Sequence, residues 1–162
     1  MQTFKRCWIC IEWTPVLCSG GFDQGEELAQ FPLFPVHEFL AVLWQSGYEN
    51  FSKSCFGTEG FESIGAFWSH VRDLEWCKSH PAVDDRDRLP WTIPAAMFGD
   101  DARIYKEEKM TVYEFAFVLS AATTLQSKFI VAILPNWLII PGKTCGDVER
   151  AITWSWRCAF EG

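Results

Sequence analysis

One stretch decides the expected fold: Leu89–Asp101, which reads LPWTIPAAMFGDD. After Pro90 the sequence is mainly apolar, and it ends on Gly99, Asp100 and Asp101. This run predicts a strand over Trp91–Asp101 that crosses the interior. Burying a carboxylate is unfavourable unless it is paired or holds a cation. The two aspartates therefore indicate either a metal site or a solvent-exposed turn at the end of this strand.

Two further strands and a helix are predicted after this stretch. Thr111–Leu119 alternates like a strand, and its bulkier face is expected to point toward the helices. Lys128–Ile140 returns through the core, and its apolar part, Phe129–Leu134, is typical of a strand covered on both faces. A last helix is predicted over Asp147–Phe160.

The first half of the chain is predicted to be mainly helical. Ser19–Gly25 has the composition of a loop. Helices are predicted over Val36–Ser46, with a glycine stop, and over about Phe61–Lys78. The charged run Asp84–Arg88 indicates a solvated linker, with a hinge as the alternative.

These elements predict an α+β fold, in which a helical N-terminal region precedes a three-stranded antiparallel meander and a helix. The corresponding division of the chain is 1–80 for the helical region, 81–90 for the linker and 91–162 for the strand–strand–strand–helix unit.

Composition and charge limit the classes of function. The 162 residues suffice for one ordinary domain, and the aromatic share of 16% must be packed inside or against a partner. The formal net charge is −7, without a visible basic patch. Because phosphate neutralisation supplies most nucleic-acid affinity, autonomous nucleic-acid binding is not expected. The longest apolar stretch, Phe129–Ile140, is too short to span a membrane, so no membrane partner is expected.

Cysteine usage predicts an intracellular, reduced protein. The seven cysteines are irregularly spaced, and no secretory signal is recognised before them. Cys7 and Cys10 have the spacing of half a zinc knuckle or of a redox pair. A structural zinc site needs a second closely spaced pair of ligands, which the nearby Cys18 and His37 do not supply, so incidental thiols are the favoured interpretation.

Pro94–Leu119 resembles a segment of CACTA-type transposases and related transposon open reading frames. That segment reads P-x(3)-H-G-D-G, then a lysine, then an apolar strand ending in L-S. Here it stands as PAAMFGDD at 94–101, Lys109, and FVLS at 117–120, with Phe98 in place of the histidine and Asp101 in place of the second glycine. Shorter similarities flank it at Phe67-Trp68, His80-Pro81, Trp154-Ser155-Trp156, Phe160 and Gly162.

The resemblance, which covers roughly Phe61–Gly162, implies the first half of a ribonuclease H-like DDE transposase domain. Such domains are metal-dependent polynucleotidyl transferases that use two divalent ions. Asp100 aligns with the first catalytic aspartate and is the candidate for a vestigial catalytic residue, while Asp100 and Asp101 are the candidate metal ligands. The family's other carboxylates follow the first helix. Asp147 and Glu149 could substitute, although a helix start already explains acids there.

Two functions from different classes therefore remain open. The first is a transposon-derived fragment that is inactive alone and binds no cofactor, with Mg²⁺ expected only in a complete catalytic domain. The second is a small intracellular protein-interaction module without a catalytic role. A half-sheet would leave an unpaired edge, so self-association through an exposed sheet edge is also expected.

Overall fold

The computed structural model describes residues 14–22, 25–85, 87–105, 108–123 and 127–161. It is an α+β fold with an antiparallel sheet, whose strand order is β1-β2-β5-β4-β3. The described strands and helices are β1 (Thr14–Phe22), β2 (Gly25–Leu33), α1 (Val36–Gln45), α2 (Tyr48–Cys55), α3 (Glu62–Val71), α4 (Glu75–Lys78), α5 (Pro81–Asp84), β3 (Ala95–Tyr105), β4 (Glu108–Phe117), β5 (Lys128–Pro135) and α6 (Thr144–Glu161).

The prediction of a helical N-terminal region is wrong in one respect, because the described chain begins with a β-hairpin. Strands β1 and β2 pair in the register Thr14↔Leu33 to Phe22↔Gly25, so most of the predicted loop at Ser19–Gly25 is strand. Strand β2 then pairs with β5 through Leu33↔Ala132. The hairpin extends the predicted three-stranded sheet to five strands, and this pairing overrides the low strand propensity of its glycines.

The predicted meander of the last three strands is confirmed in its order, but its first strand is shorter at the start and lies at the edge. Leu89–Trp91 forms a 3₁₀ turn, in which the Trp91 N–H donates to the Arg88 carbonyl at 2.8 Å. Pro90 lies inside this turn and Pro94 follows it, and neither has an N–H group to donate, so the strand begins only at Ala95. Residues 97–103 are all exposed, which corrects the expectation of a strand through the interior.

The burial pattern of β4 agrees with the sequence. That of β5 agrees only in part, because Ile130 is exposed although the run Phe129–Leu134 was expected to be covered on both faces. On β4 the expected bulky face is buried at Tyr113, Phe115 and Phe117. On β5 the burial is concentrated at Val131, Ala132 and Leu134, and the strand ends at Pro135. These alternations place the aromatic residues of β4 in the hydrophobic core.

Helices α1 and α6 lie close to their predicted positions, whereas α2 and the short α5, which lies within the predicted linker at 81–90, were not predicted, and one predicted helix is broken. Helix α1 ends before Gly47, whose φ of 101° suits a residue without a Cβ atom. The long helix predicted over Phe61–Lys78 is divided, because Leu74 is extended with ψ of 143° between α3 and α4. In one unbroken helix Val71 and Cys77 would point roughly 120° apart, whereas the break allows both to be buried.

By its contacts the chain forms two compact units. Unit 1 comprises Met1–Gly47, Met97–Glu114 and Ile130–Gly162, and unit 2 comprises Tyr48–Ala96 and Phe115–Phe129. The predicted division at residues 81–90 stays a prediction. In unit 1, α6 lies against α1 and β1, and it begins three residues before the expected Asp147. None of the helices in the described part of the chain is long and apolar enough to cross a membrane.

Candidate functional site

Both aspartates predicted from the sequence lie exposed on β3, and both are engaged within unit 1. The Asp101 N–H donates to Asp100 Oδ1 at 2.8 Å, and the Thr111 hydroxyl lies 2.8 Å from Asp101 Oδ1. The same hydroxyl lies 3.1 Å from Asn136 Oδ1, and with one proton it can donate to only one of these oxygens at a time. Asp100 therefore sits on an edge strand in contact with solvent.

A divalent ion would need further ligands than this pair provides. Within the described ranges, no group of three or more histidine, cysteine, aspartate or glutamate side chains is arranged to hold a metal. Asp147 is paired with Arg150 on α6, and Glu149 accepts a hydrogen bond from the Tyr113 hydroxyl at 3.3 Å. The described residues around Asp100 thus do not fit a two-metal centre, and the catalytic role of Asp100 stays a prediction.

Four of the cysteines are free thiols: Cys55, Cys77, Cys145 and Cys158. The predicted pair, Cys7 and Cys10, lies outside the described residues. Cys55 is fully buried, and desolvation by burial raises the pKa of its thiol to about 12. Because the thiolate is the reactive form, Cys55 is a packing residue rather than a nucleophile.

A serine–histidine contact in unit 1 was not predicted from the sequence. Ser155 Oγ accepts a hydrogen bond from the Val36 N–H at 2.6 Å and lies 3.0 Å from His37 Nδ1. Helix α1 has no side-chain cap of its own at Pro35, so the serine of α6 caps α1 instead. Ser155 is fully buried, which makes it a structural cap and not an accessible nucleophile.

In unit 2, Tyr48, Phe61 and Trp91 form an exposed cluster that we call the aromatic patch. Their exposed fractions are 58%, 38% and 66%. Phe61 lies between the other two, with ring centroids 6.3 Å from Tyr48 and 5.7 Å from Trp91. Exposed aromatic groups in contact with one another are typical of interaction sites, whereas single exposed apolar residues are common on any surface.

The aromatic patch rests on the buried core of unit 2. The Phe61 ring lies 4.6 Å from that of Phe56, which is 1% exposed. Phe56 in turn packs edge-on against Phe51 at 5.8 Å. The inner side of the Phe61 ring therefore packs on a ring of the close-packed core.

Local turns hold the ends of the aromatic patch. Before Phe61, Gly57 has φ of 79°, and a Cβ added there would lie 2.8 Å from the Leu119 carbonyl oxygen, so only glycine fits. After Trp91, the Thr92 carbonyl accepts a hydrogen bond from the Trp68 indole N–H at 2.7 Å. This bond ties the segment that carries Trp91 to α3.

Negative charge surrounds Phe61 along the chain. Glu59 and Glu62 are both exposed, and neither forms an ion pair with any residue that the structure describes. Glu49, next to Tyr48, is paired with Lys53 at 3.1 Å. Two exposed carboxylates, those of Glu59 and Glu62, therefore lie within two residues of Phe61 in the chain.

Sequence reasoning missed the aromatic patch because it placed Phe61 on the buried face of a helix. The surplus of aromatic residues was the available signal, but it did not indicate which residues would be exposed. Comparisons with protein-family models, curated proteins and solved structures give no match to this chain.

Proposed function

We propose that this chain is a non-catalytic protein-interaction module, and that the aromatic patch is its docking surface. The observation that carries the proposal is the contact of three exposed rings, at Tyr48, Phe61 and Trp91, above a buried aromatic pair. Aromatic side chains supply large contact areas with few rotatable bonds, which is why they are enriched in protein interfaces.

The charge of the surrounding surface defines the partner. Glu59 and Glu62 favour a segment with positive charge, as does the net charge of −7. Lysine and arginine side chains can also lie over the faces of Trp91 and Tyr48 in cation–π contacts. The occupant is therefore an exposed segment of another protein that combines basic and apolar side chains.

A random-peptide phage library, selected on the purified chain, tests the proposal. We expect enrichment of peptides with basic and apolar residues, and we expect Trp91→Ala to weaken their binding by about tenfold or more. Trp137→Ala is the matched control, since Trp137 is exposed to 59% in unit 1. Enriched peptides that bind Trp91→Ala unchanged, or a library that yields no binders, would refute the proposal.

A second proposal is that the chain is a transposon-derived fragment that resembles the first half of a DDE transposase catalytic domain and is inactive alone. Its support is the order of β3, β4 and β5, which are neighbours in chain order and are followed by α6. The finer assignment to a partial ribonuclease H-like fold belongs to this proposal, as does Asp100 as a vestigial catalytic residue.

Incubation of the purified chain with DNA and Mg²⁺ or Mn²⁺ tests the second proposal. We expect neither cleavage nor strand transfer from the wild type or from Asp100→Ala, because one carboxylate plus water cannot hold two metal ions in place. Metal-dependent cleavage that Asp100→Ala abolishes would contradict the expected lack of activity and would identify the chain as a working nuclease.

A further inference from the structure

The free edge of β3 offers backbone groups to another strand. Among the described strands, β3 has only β4 as a neighbour, and Asp101, Ala102 and Arg103 are all exposed. Residues in an antiparallel pair alternate between those bonded to the neighbouring strand and those whose N–H and C=O point away from it. The Asp101 N–H is bonded to the Asp100 carboxylate, which places Asp101 in the second group, together with Arg103 two residues later.

We propose that β3 pairs with β3 of a second copy of this chain, in an antiparallel arrangement centred on Ala102. A two-fold axis perpendicular to the sheet keeps each face of the sheet on its own side. It therefore allows only registers in which one residue lies opposite itself. With Ala102 on the axis, Asp101 of each copy lies opposite Arg103 of the other, and their outward-pointing backbone groups meet.

Charge selects this register over its neighbours. A dimer centred on Asp100 or on Asp101 would place two carboxylates opposite each other, and one centred on Arg103 would oppose two guanidinium groups. Of the registers centred on residues 100 to 103, only the Ala102 register gives two pairs of opposite charge around a small central side chain. Arg103 forms no ion pair with the described part of its own chain, so its charge is available to the second copy.

Asp100 limits the strength of this pairing. Its carboxylate occupies the Asp101 N–H at 2.8 Å, which is one of the donors that the second strand needs. Pairing with a second strand must displace this contact. Charged side chains commonly protect sheet edges from pairing in natural proteins. The Asp100→Ala variant should therefore dimerise more tightly than the wild type.

Sedimentation of the full chain tests the proposal through charge reversal. We expect the wild type to dimerise below about 100 µM, and Asp101→Arg and Arg103→Asp each to weaken dimerisation by about tenfold. An equimolar mixture of these two variants should recover the dimer, because each then offers the charges that the other lacks. Asp73→Arg is the control, because Asp73 is exposed and lies in unit 2, away from β3 in the chain. It should leave dimerisation unchanged.

Recovery in the mixture also shows that the single variants are folded. A wild type that stays monomeric at about 100 µM, or a mixture that dimerises no better than its components, would overturn the proposal. Hydrogen exchange gives a further contrary outcome. If the Asp101 and Arg103 amides become protected only after a different polypeptide is added, another protein covers the edge and the proposal is wrong.

A cross-link fixes the register. In the Ala102 register the two central Cα atoms belong to a pair about 4.5 Å apart, which is within the range that a disulfide can bridge. Ala102→Cys should therefore give a covalent dimer after mild oxidation, with the 102–102 linkage identified by mass spectrometry. Asp100→Cys is the matched control and should not link to itself. Equal linkage of both variants would exclude a unique register.

Discussion

Strands β3 and β4 are neighbours in one sheet, yet their side chains differ in burial. Residues 97–103 of β3 are exposed, whereas Tyr113, Phe115 and Phe117 of β4 are buried. β4 has a strand on each side, whereas β3 has one neighbour among the strands that the structure describes. Position in the sheet therefore decides burial here, since the apolar run that leads into β3 suggested a buried strand.

Truncation of a buried side chain on β4 should lower stability more than any other change considered below. Phe115 is fully buried, and its ring lies 5.0 Å from Phe129 and 5.4 Å from Phe117. We expect Phe115→Ala to lower the free energy of unfolding by about 3–5 kcal/mol, because it removes a large side chain and leaves a cavity. Chemical denaturation followed by tryptophan fluorescence measures this change.

The matched variant on β3 is Phe98→Ala, since Phe98 is exposed to 42%. Its loss of stability should stay below about 1 kcal/mol. If Phe115→Ala does not fold, Phe115→Leu retains most of the apolar volume and keeps the comparison measurable. Equal losses at Phe98 and Phe115 would show that the two strands are not as different as their burial implies.

A smaller effect is expected from the hydroxyl of Tyr113. Burial, together with the nearby Cys145 and Glu149, raises the pKa of this phenol above its ordinary value of 10.0. The folded state therefore holds the proton more tightly than the unfolded state does, so the stability contributed is complete below about pH 10 and is lost as the pH rises further. Tyr113→Phe should lose less stability than the wild type between about pH 9 and pH 11.

Denaturation curves at a series of pH values measure this difference. The Cys55 thiol, with a pKa of about 12, contributes its own loss above pH 9.0 in both proteins, so it cancels in the comparison. Ultraviolet absorbance follows the titration of the Tyr113 phenol in the folded protein. A pKa at the ordinary value would contradict the prediction.

The smallest effect is expected at the exposed carboxylate of β3. Asp100→Ala should change the free energy of unfolding of the monomer by less than about 0.5 kcal/mol, because water can replace its contact with the Asp101 N–H. Calorimetry should detect Mg²⁺ binding no tighter than about 1 mM before or after the change. Tight Mg²⁺ binding that Asp100→Ala removes would instead place a functional cation on the exposed strand.

The sequence predicted those elements whose pattern is local. Helix α1 follows from a proline start, an apolar stripe and a glycine stop, and all three are visible in the sequence. The buried face of β4 follows from strict alternation of large and small residues. In both elements the residues that decide the structure lie within a few positions of each other, so no distant partner is needed to recognise them.

The features that the sequence did not predict depend on residues far apart in the chain. The hairpin of β1 and β2 contains glycines and prolines that indicate loops, and its pairing with β5 joins Leu33 to Ala132. The edge position of Asp100 depends on which strands adjoin β3, which alternation does not encode. The aromatic patch likewise brings Phe61 beside Trp91 from separate segments. Such placements require the tertiary structure.

The cap of α1 by Ser155 has a consequence for how the chain is made. The Val36 N–H and its acceptor are 119 residues apart, so the ribosome synthesises the acceptor long after the helix that needs it. At typical elongation rates the delay is about 6–24 seconds. During that time the start of α1 must bond to water or to a chaperone, and unit 1 can close only after its last helix emerges. Synthesis of the final segment therefore sets the earliest moment at which unit 1 is complete.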